Sequence, residues 1–230
     1  MSFVHAPLLR LYGKVLLWMS LWFVLWPLWK GIDTTLFWLL NGGLAHTPNG
    51  LQQVIAFLQT KGGDYAFDGL CLAFFGYFAK QEGLRWHHVL RAALWMVSSY
   101  LLFNAFLFRK FWWARLSPAA VFDEAFLLSS VVPWASIKTA CTHSYPSDHG
   151  CTICLFLGFV WYLLHKSRFW YAFLLVMPFL LVRLATGAHW LSDILFGSLP
   201  FAYLSLGWLF YSPLAIFGGL NVHNERTSPV

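Results

Sequence analysis

Ser144-Tyr145-Pro146-Ser147-Asp148-His149-Gly150 is the stretch on which the reading of this chain turns. Segment 123–138 before it carries three charges, and the apolar run after it has no acid or base before His165. A proline, a hydroxyl and a histidine at the start of a hydrophobic helix suit an anion. The first N–H groups of a helix have no partner inside it, and the helix dipole adds partial positive charge there. Further along, Arg183, His189 and Asp193 form a second polar box at the junction of two more apolar runs. The two boxes are expected to meet in space and to do phosphoryl chemistry at a membrane surface.

The rest of the chain supplies the membrane. Of its 230 residues 59% are hydrophobic and 10% charged, against roughly 45–50% and 25% in ordinary soluble domains. One soluble core of this length could not hide so much apolar surface. The 14 Trp and 23 Phe suit interfaces and lipid-facing helices. The net charge of +6 is spread along the chain without a Lys/Arg-rich tract, which indicates orientation and contact with anionic lipid and excludes nucleic acid as a partner. Four cysteines are too few for a disulfide scaffold. No cleavable signal peptide is expected, because the first apolar run leads into Trp26-Pro27-Leu28-Trp29-Lys30 and not into a small-residue cleavage site.

Six spans are expected, at 11–29, 64–79, 92–108, 150–164, 169–186 and 191–211, in a single membrane-embedded domain over 1–230. Between the first two, the breakers Asn41-Gly42-Gly43 and Thr47-Pro48-Asn49-Gly50 suggest two short interfacial helices at 34–40 and 51–60. A long loop covers 109–147. The fold class is therefore all-α, an integral-membrane six-helix bundle. Six spans put both termini on one side, together with the turns holding Lys80, Arg85, Arg91, Lys166 and Arg168. The positive-inside rule makes that side cytoplasmic and leaves both boxes on the outer, periplasmic face.

His189 and Asp193 lie four apart at the start of the last span, so they share one helical face. A carboxylate there can accept Nδ1–H of an imidazole and fix which ring nitrogen is free. The Arg183 guanidinium can hold two oxygens of a phosphoryl group at once. His149 offers a proton and Ser147 a hydroxyl. These parts suffice for phosphohistidine chemistry without metal or cofactor: one histidine attacks phosphorus and the other protonates the leaving oxygen. Competing uses exist. His143, His149 and His189 could hold zinc, although the arginines beside them and the lack of an acidic cluster argue against it. Ser147 as nucleophile lacks a Gly-x-Ser-x-Gly elbow. Asp148 suits the helix N-terminus and could bind a cation such as Arg115. Asp68 is either a partner of the same kind or a carboxylate capping the second span.

At these residues the chain resembles the type 2 phosphatidic acid phosphatase superfamily. Its third signature, Ser-Arg, five residues, His, three residues, Asp, is met by Val182-Arg183, His189 and Asp193 with only the Ser replaced. Its Pro-Ser-Gly-His is met by Pro146-Ser147-Asp148-His149, with Asp148 in place of Gly. The first signature, Lys, six residues, Arg-Pro, departs more. Arg115 is followed by Leu116-Ser117-Pro118, and the Lys position falls on Phe108, with Arg109 and Lys110 as candidate substitutes. The resemblance implies His189 as nucleophile, Asp193 as its orienter and His149 as general acid, with Arg115, Arg183 and Ser147 as phosphate ligands. Arg-x-Ser-Pro, Asp-His-Gly, Gly-Ala-His-Trp and Ala66-Phe67-Asp68-Gly69 are similar to the bacterial branch that moves a phosphoryl group from undecaprenyl diphosphate to the 1-phosphate of lipid A. That branch implies those two lipids as partners and the bacterial inner membrane as location. Ser147 stands where that branch has Gly and is closer to the phosphatase pattern, which keeps water as an alternative acceptor. An alternative of another class is a transporter or assembly factor that has kept a phosphate pocket.

Overall fold

The computed structural model describes residues 5–99, 101, 114–137 and 140–211. Among them there is no strand, and the regular structure is helical. Five helices precede the long loop: α1 His5–Val24, α2 Trp26–Ala45, α3 Asn49–Leu58, α4 Lys61–Gln81 and α5 Trp86–Ser99. The loop holds two single turns, α6 Pro118–Val121 and α7 Leu128–Val131. Then come α8 Asp148–Leu163 and α9 Lys166–Ala185. A π-helical segment, Asp193–Ser198, runs directly into α10 Leu199–Tyr211.

Two stretches are long and apolar enough to cross a membrane, Lys166–Ala185 and Asp193–Phe210. The pair Leu9–Val24 and Trp26–Ala45, bent by 79°, counts as a third if it is one broken span. Lipid-facing character is plain on α9, where only 22% of the apolar window is buried and Leu174 is 68% exposed. Contiguous apolar exposure on this scale belongs in a bilayer. The chain is a membrane protein.

The first expected span needs correction. Segment 11–29 is not one helix: it breaks at Leu25, and a new helix starts with Pro27 in its first turn. Proline has no N–H to give the preceding turn and fits the start of a helix, not its interior. The helix expected at 34–40 is also longer, because α2 runs through Asn41-Gly42-Gly43 to Ala45. Buried Asn41 explains this. Its amide donates to the carbonyls of Phe126 and Ala185, and its oxygen accepts the Phe126 N–H. Three tertiary hydrogen bonds outweigh the weak local propensity of Asn and Gly.

The core lies between α4, α8, α9 and α10, around Phe67, Phe75, Phe156, Phe159 and Val176. In lipid, apolar burial drives helix association little, and close packing and interhelical hydrogen bonds matter more. α8 packs against α9, α10 and the π segment, which places its N-terminal turn among the polar ends of its neighbours.

Candidate active site

Three local features build the site. The first is the cap of α8, where the Ser147 hydroxyl oxygen accepts the Gly150 N–H at 3.0 Å. Ser198 of the π segment donates to the Ser147 carbonyl at 2.7 Å. A Cβ on Gly150 would lie 2.6 Å from Ser198 Oγ, so only glycine allows this approach. The second is Gly187, whose φ of +72° turns the chain at the end of α9 toward His189. The third is a pairing of two loop segments: Ser144 N–H to the Arg115 carbonyl at 2.9 Å, and Ser117 N–H to the Cys141 carbonyl at 3.0 Å. It presents the Ser144 carbonyl to the imidazole of His189.

His189 is nearly buried, and its Nδ1 lies 2.8 Å from the Ser144 carbonyl oxygen. A carbonyl only accepts, so Nδ1 carries a hydrogen, and in the neutral ring Nε2 is the nitrogen with the lone pair. Nε2 lies on the side of Asp148, whose Oδ1 is 3.6 Å away. The expected orienter is one step removed. Asp193 Oδ2 is 3.9 Å from Nδ1, beyond a hydrogen bond. That oxygen accepts the Trp190 N–H at 2.8 Å, and Oδ1 accepts from Arg115. The backbone at Ser144 orients the ring, and fully buried Asp193 adds negative charge behind it.

Arg115 is not placed as a phosphate ligand. Its guanidinium donates to Asp193, to Ser192 Oγ at 2.8 Å and to Asp33 at 2.9 Å. The rings of Trp26 and Trp190 lie 5.1 and 5.4 Å from it. Two carboxylates and two aromatic faces occupy it, and it does not line the cavity in front of His189. Ser147 is likewise turned to its own helix as a cap and is 1% exposed. Asp33, which the sequence reading passed over, also accepts from Ser192 N–H at 2.9 Å and from the Ser192 hydroxyl. A carboxylate within a largely apolar helix, the one acid between Trp26 and Ala45, was the available signal.

The cavity in front of His189 has a volume of about 1160 Å³. Arg183, His149, Asp148, Asp64 and Lys61 line it together with His189. The rings of His149 and His189 have centroids 6.3 Å apart, close enough for one tetrahedral group to touch both. Arg183 is held by Gln59 Oε1 and the Leu58 carbonyl at the end of α3, and it pairs with Asp64. His149 donates from Nδ1 to Asp148 at 2.7 Å and from Nε2 to Asp64 at 3.0 Å. It stands in the first turn of α8, ahead of the apolar run. Burial opposes its charge, but the Asp148 carboxylate and the hydrogen bonds to Asp148 and Asp64 outweigh burial and push the imidazolium up to about 9.

Asp68 lies one turn along α4 from Asp64, away from this cavity. It borders a smaller apolar one of about 260 Å³ with Cys71, Thr152 and Phe156. The cationic partner proposed for Asp148 is His149 and not Arg115. Arg109, Lys110 and Phe108 lie outside the described residues. For a metal, Asp148, His149 and His189 bring one ligand atom each within 4.8 Å of one another, without His143. Both ring nitrogens of His149 already face carboxylates, and the Arg183 guanidinium shares the cavity. A cation would have to break those hydrogen bonds and sit beside a fixed positive charge.

Residues 88–216 match the PAP2 superfamily model. The chain belongs to that superfamily and is a lipid phosphatase/phosphotransferase enzyme, which sets the transporter reading aside. It is 26% identical over 192 residues to the lipid A 1-diphosphate synthase of Escherichia coli (strain K12), covering 81% of this chain and 78% of the relative. No solved structure matches it.

Proposed function

We propose that this PAP2 superfamily member carries a phosphoryl group on His189 and moves it from undecaprenyl diphosphate to the 1-phosphate of lipid A. Nε2 of His189 attacks the terminal phosphorus, the bond to the leaving phosphate oxygen breaks, and His149 gives that oxygen its proton. Arg183 neutralises charge on the equatorial oxygens. An oxygen of the acceptor phosphate then attacks the phosphohistidine and gives its proton to the now neutral His149, the P–N bond breaks, and both histidines are restored. The observation that carries this reading is the hydrogen bond from His189 Nδ1 to Ser144, which makes Nε2 the lone-pair nitrogen of the neutral ring, beside a cavity that His189 shares with His149 and Arg183. The similarity to a lipid A 1-diphosphate synthase supports the acceptor.

The same reading places the chain as a six-span bundle in the bacterial inner membrane, with the cavity on the periplasmic side. Asp193 and Arg115 act behind His189 as its electrostatic support. Water as acceptor, giving a lipid phosphatase acting on undecaprenyl diphosphate, phosphatidylglycerol phosphate or a lipid A phosphate, is favoured by Ser147. Purified protein given labelled undecaprenyl diphosphate, with and without lipid A, separates the two. The transferase reading expects label on lipid A and little free phosphate. Equal release of phosphate in both tubes contradicts it.

A further inference from the structure

Asp64 was not among the residues the motifs pointed to, yet it contacts both cations expected to receive the substrate. A single oxygen, Oδ1, accepts from the Arg183 guanidinium and lies 3.0 Å from His149 Nε2. Those two groups, in the function proposed above, hold the phosphoryl oxygens and protonate the leaving group. A phosphoryl group cannot take both contacts while the carboxylate keeps them. We propose that Asp64 is a built-in competitor for the phosphate position and so sets how tightly the site holds anions. The inference rests on the proposed roles of Arg183 and His149.

The surroundings allow the exchange. Arg183 keeps its position through neutral partners, Gln59 and the Leu58 carbonyl, when Asp64 leaves. Gln59 is itself fixed, donating to Thr186 Oγ1 at 2.6 Å and to the Val182 carbonyl at 3.1 Å. The guanidinium would therefore stay aimed with a free edge. Asp64 in turn has a second cation within its own helix. Lys61 is three residues earlier, lines the same cavity, and neighbours at that spacing share a helix face. Among the described residues the other charges acting on Asp64 are Asp148 and Asp68, which repel it and favour its release toward Lys61. An incoming phosphate carries more charge than the carboxylate and offers more acceptor oxygens, so it can win both contacts. The exchange lowers affinity for every anion, including the phosphate product that must leave.

The test is anion binding by the purified full chain in detergent, with orthophosphate and orthovanadate as probes. Wild type is compared with Asp64→Asn and Asp64→Ala. Removal of an internal competitor should tighten binding of both anions by about tenfold, the factor that corresponds to about 1.4 kcal/mol. Weaker or unchanged binding in the variants, with wild type still turning over labelled donor, overturns this inference alone. A wild type that neither turns over donor nor binds either anion, with variants that bind neither, removes the inference and the reading beneath it. If both variants fail to fold, the infrared difference spectrum of wild type with and without vanadate decides. A carboxylate band that shifts on binding supports the exchange, and a spectrum without one overturns it.

Discussion

In the proposed reaction the imidazole of His189 acts with its Nδ1 hydrogen committed to the Ser144 carbonyl, and much of the account follows from that one bond. His189→Ala should abolish turnover, measured by release or transfer of labelled phosphate. Arg183→Ala should lower kcat/KM by about 10²–10³, the usual cost of losing a donor aimed at transition-state charge. As the proposed general acid, His149 should set the pH profile. Its imidazolium, pushed up to about 9, is present below that pH and lost as pH rises through it. Activity should therefore persist through neutrality and fall on the alkaline side. Asp148→Asn removes the anion that raises His149, so the alkaline limb should move to lower pH. An unmoved limb would assign the titration to another group. The spacing of His189 and Asp193 put both residues in one place, but it could not tell a direct hydrogen bond from support through Arg115. That depends on which loop backbone reaches the ring, and segments 115–117 and 141–144 are joined only by tertiary pairing.

Between α8 and the π segment the geometry is tight because glycine permits it. Gly150→Ala would put a methyl group against Ser198 Oγ and Cβ, both closer than 3.0 Å. Overpacking of this kind costs about 1–3 kcal/mol. Thermal unfolding in detergent should show a lower Tm, together with lower activity, since the shift moves His149. The π segment has its own supports, with Tyr145 donating to the Phe196 carbonyl and Trp18 Nε1–H to the Leu195 carbonyl, both at 2.8 Å. π-helical turns leave the regular ladder and are frequent at functional sites. The positions of α3, α8 and α9 were legible from hydrophobic runs, breakers and Thr47-Pro48-Asn49-Gly50. The join of α1 and α2 was not, because an unbroken apolar run hid the effect of Pro27, and the anchoring of Asn41 by Phe126 and Ala185 is invisible along the chain. Asp33 and Asp64 were missed for a related reason. Neither belongs to a recognisable motif, and each gains its meaning only beside an arginine at least 82 residues away.

The molecule as a whole brings a polar cavity to the ends of apolar helices, which suits a substrate with a charged head and a tail that stays in lipid. Because the proposed chemistry uses nitrogen and guanidinium groups, EDTA should leave the rate unchanged. Inhibition by chelation that zinc reverses would move the chemistry to a metal on Asp148, His149 and His189. Vanadate should inhibit, as it adopts the five-coordinate geometry of the displacement. The most direct test is to trap the covalent state. Purified protein is given undecaprenyl diphosphate labelled in its terminal phosphate, without acceptor, and quenched in alkali. The account predicts a label on the protein that survives alkali, is lost in acid, maps to His189 and is absent from His189→Ala. Label on Ser147, or turnover by an unlabelled protein, would contradict it.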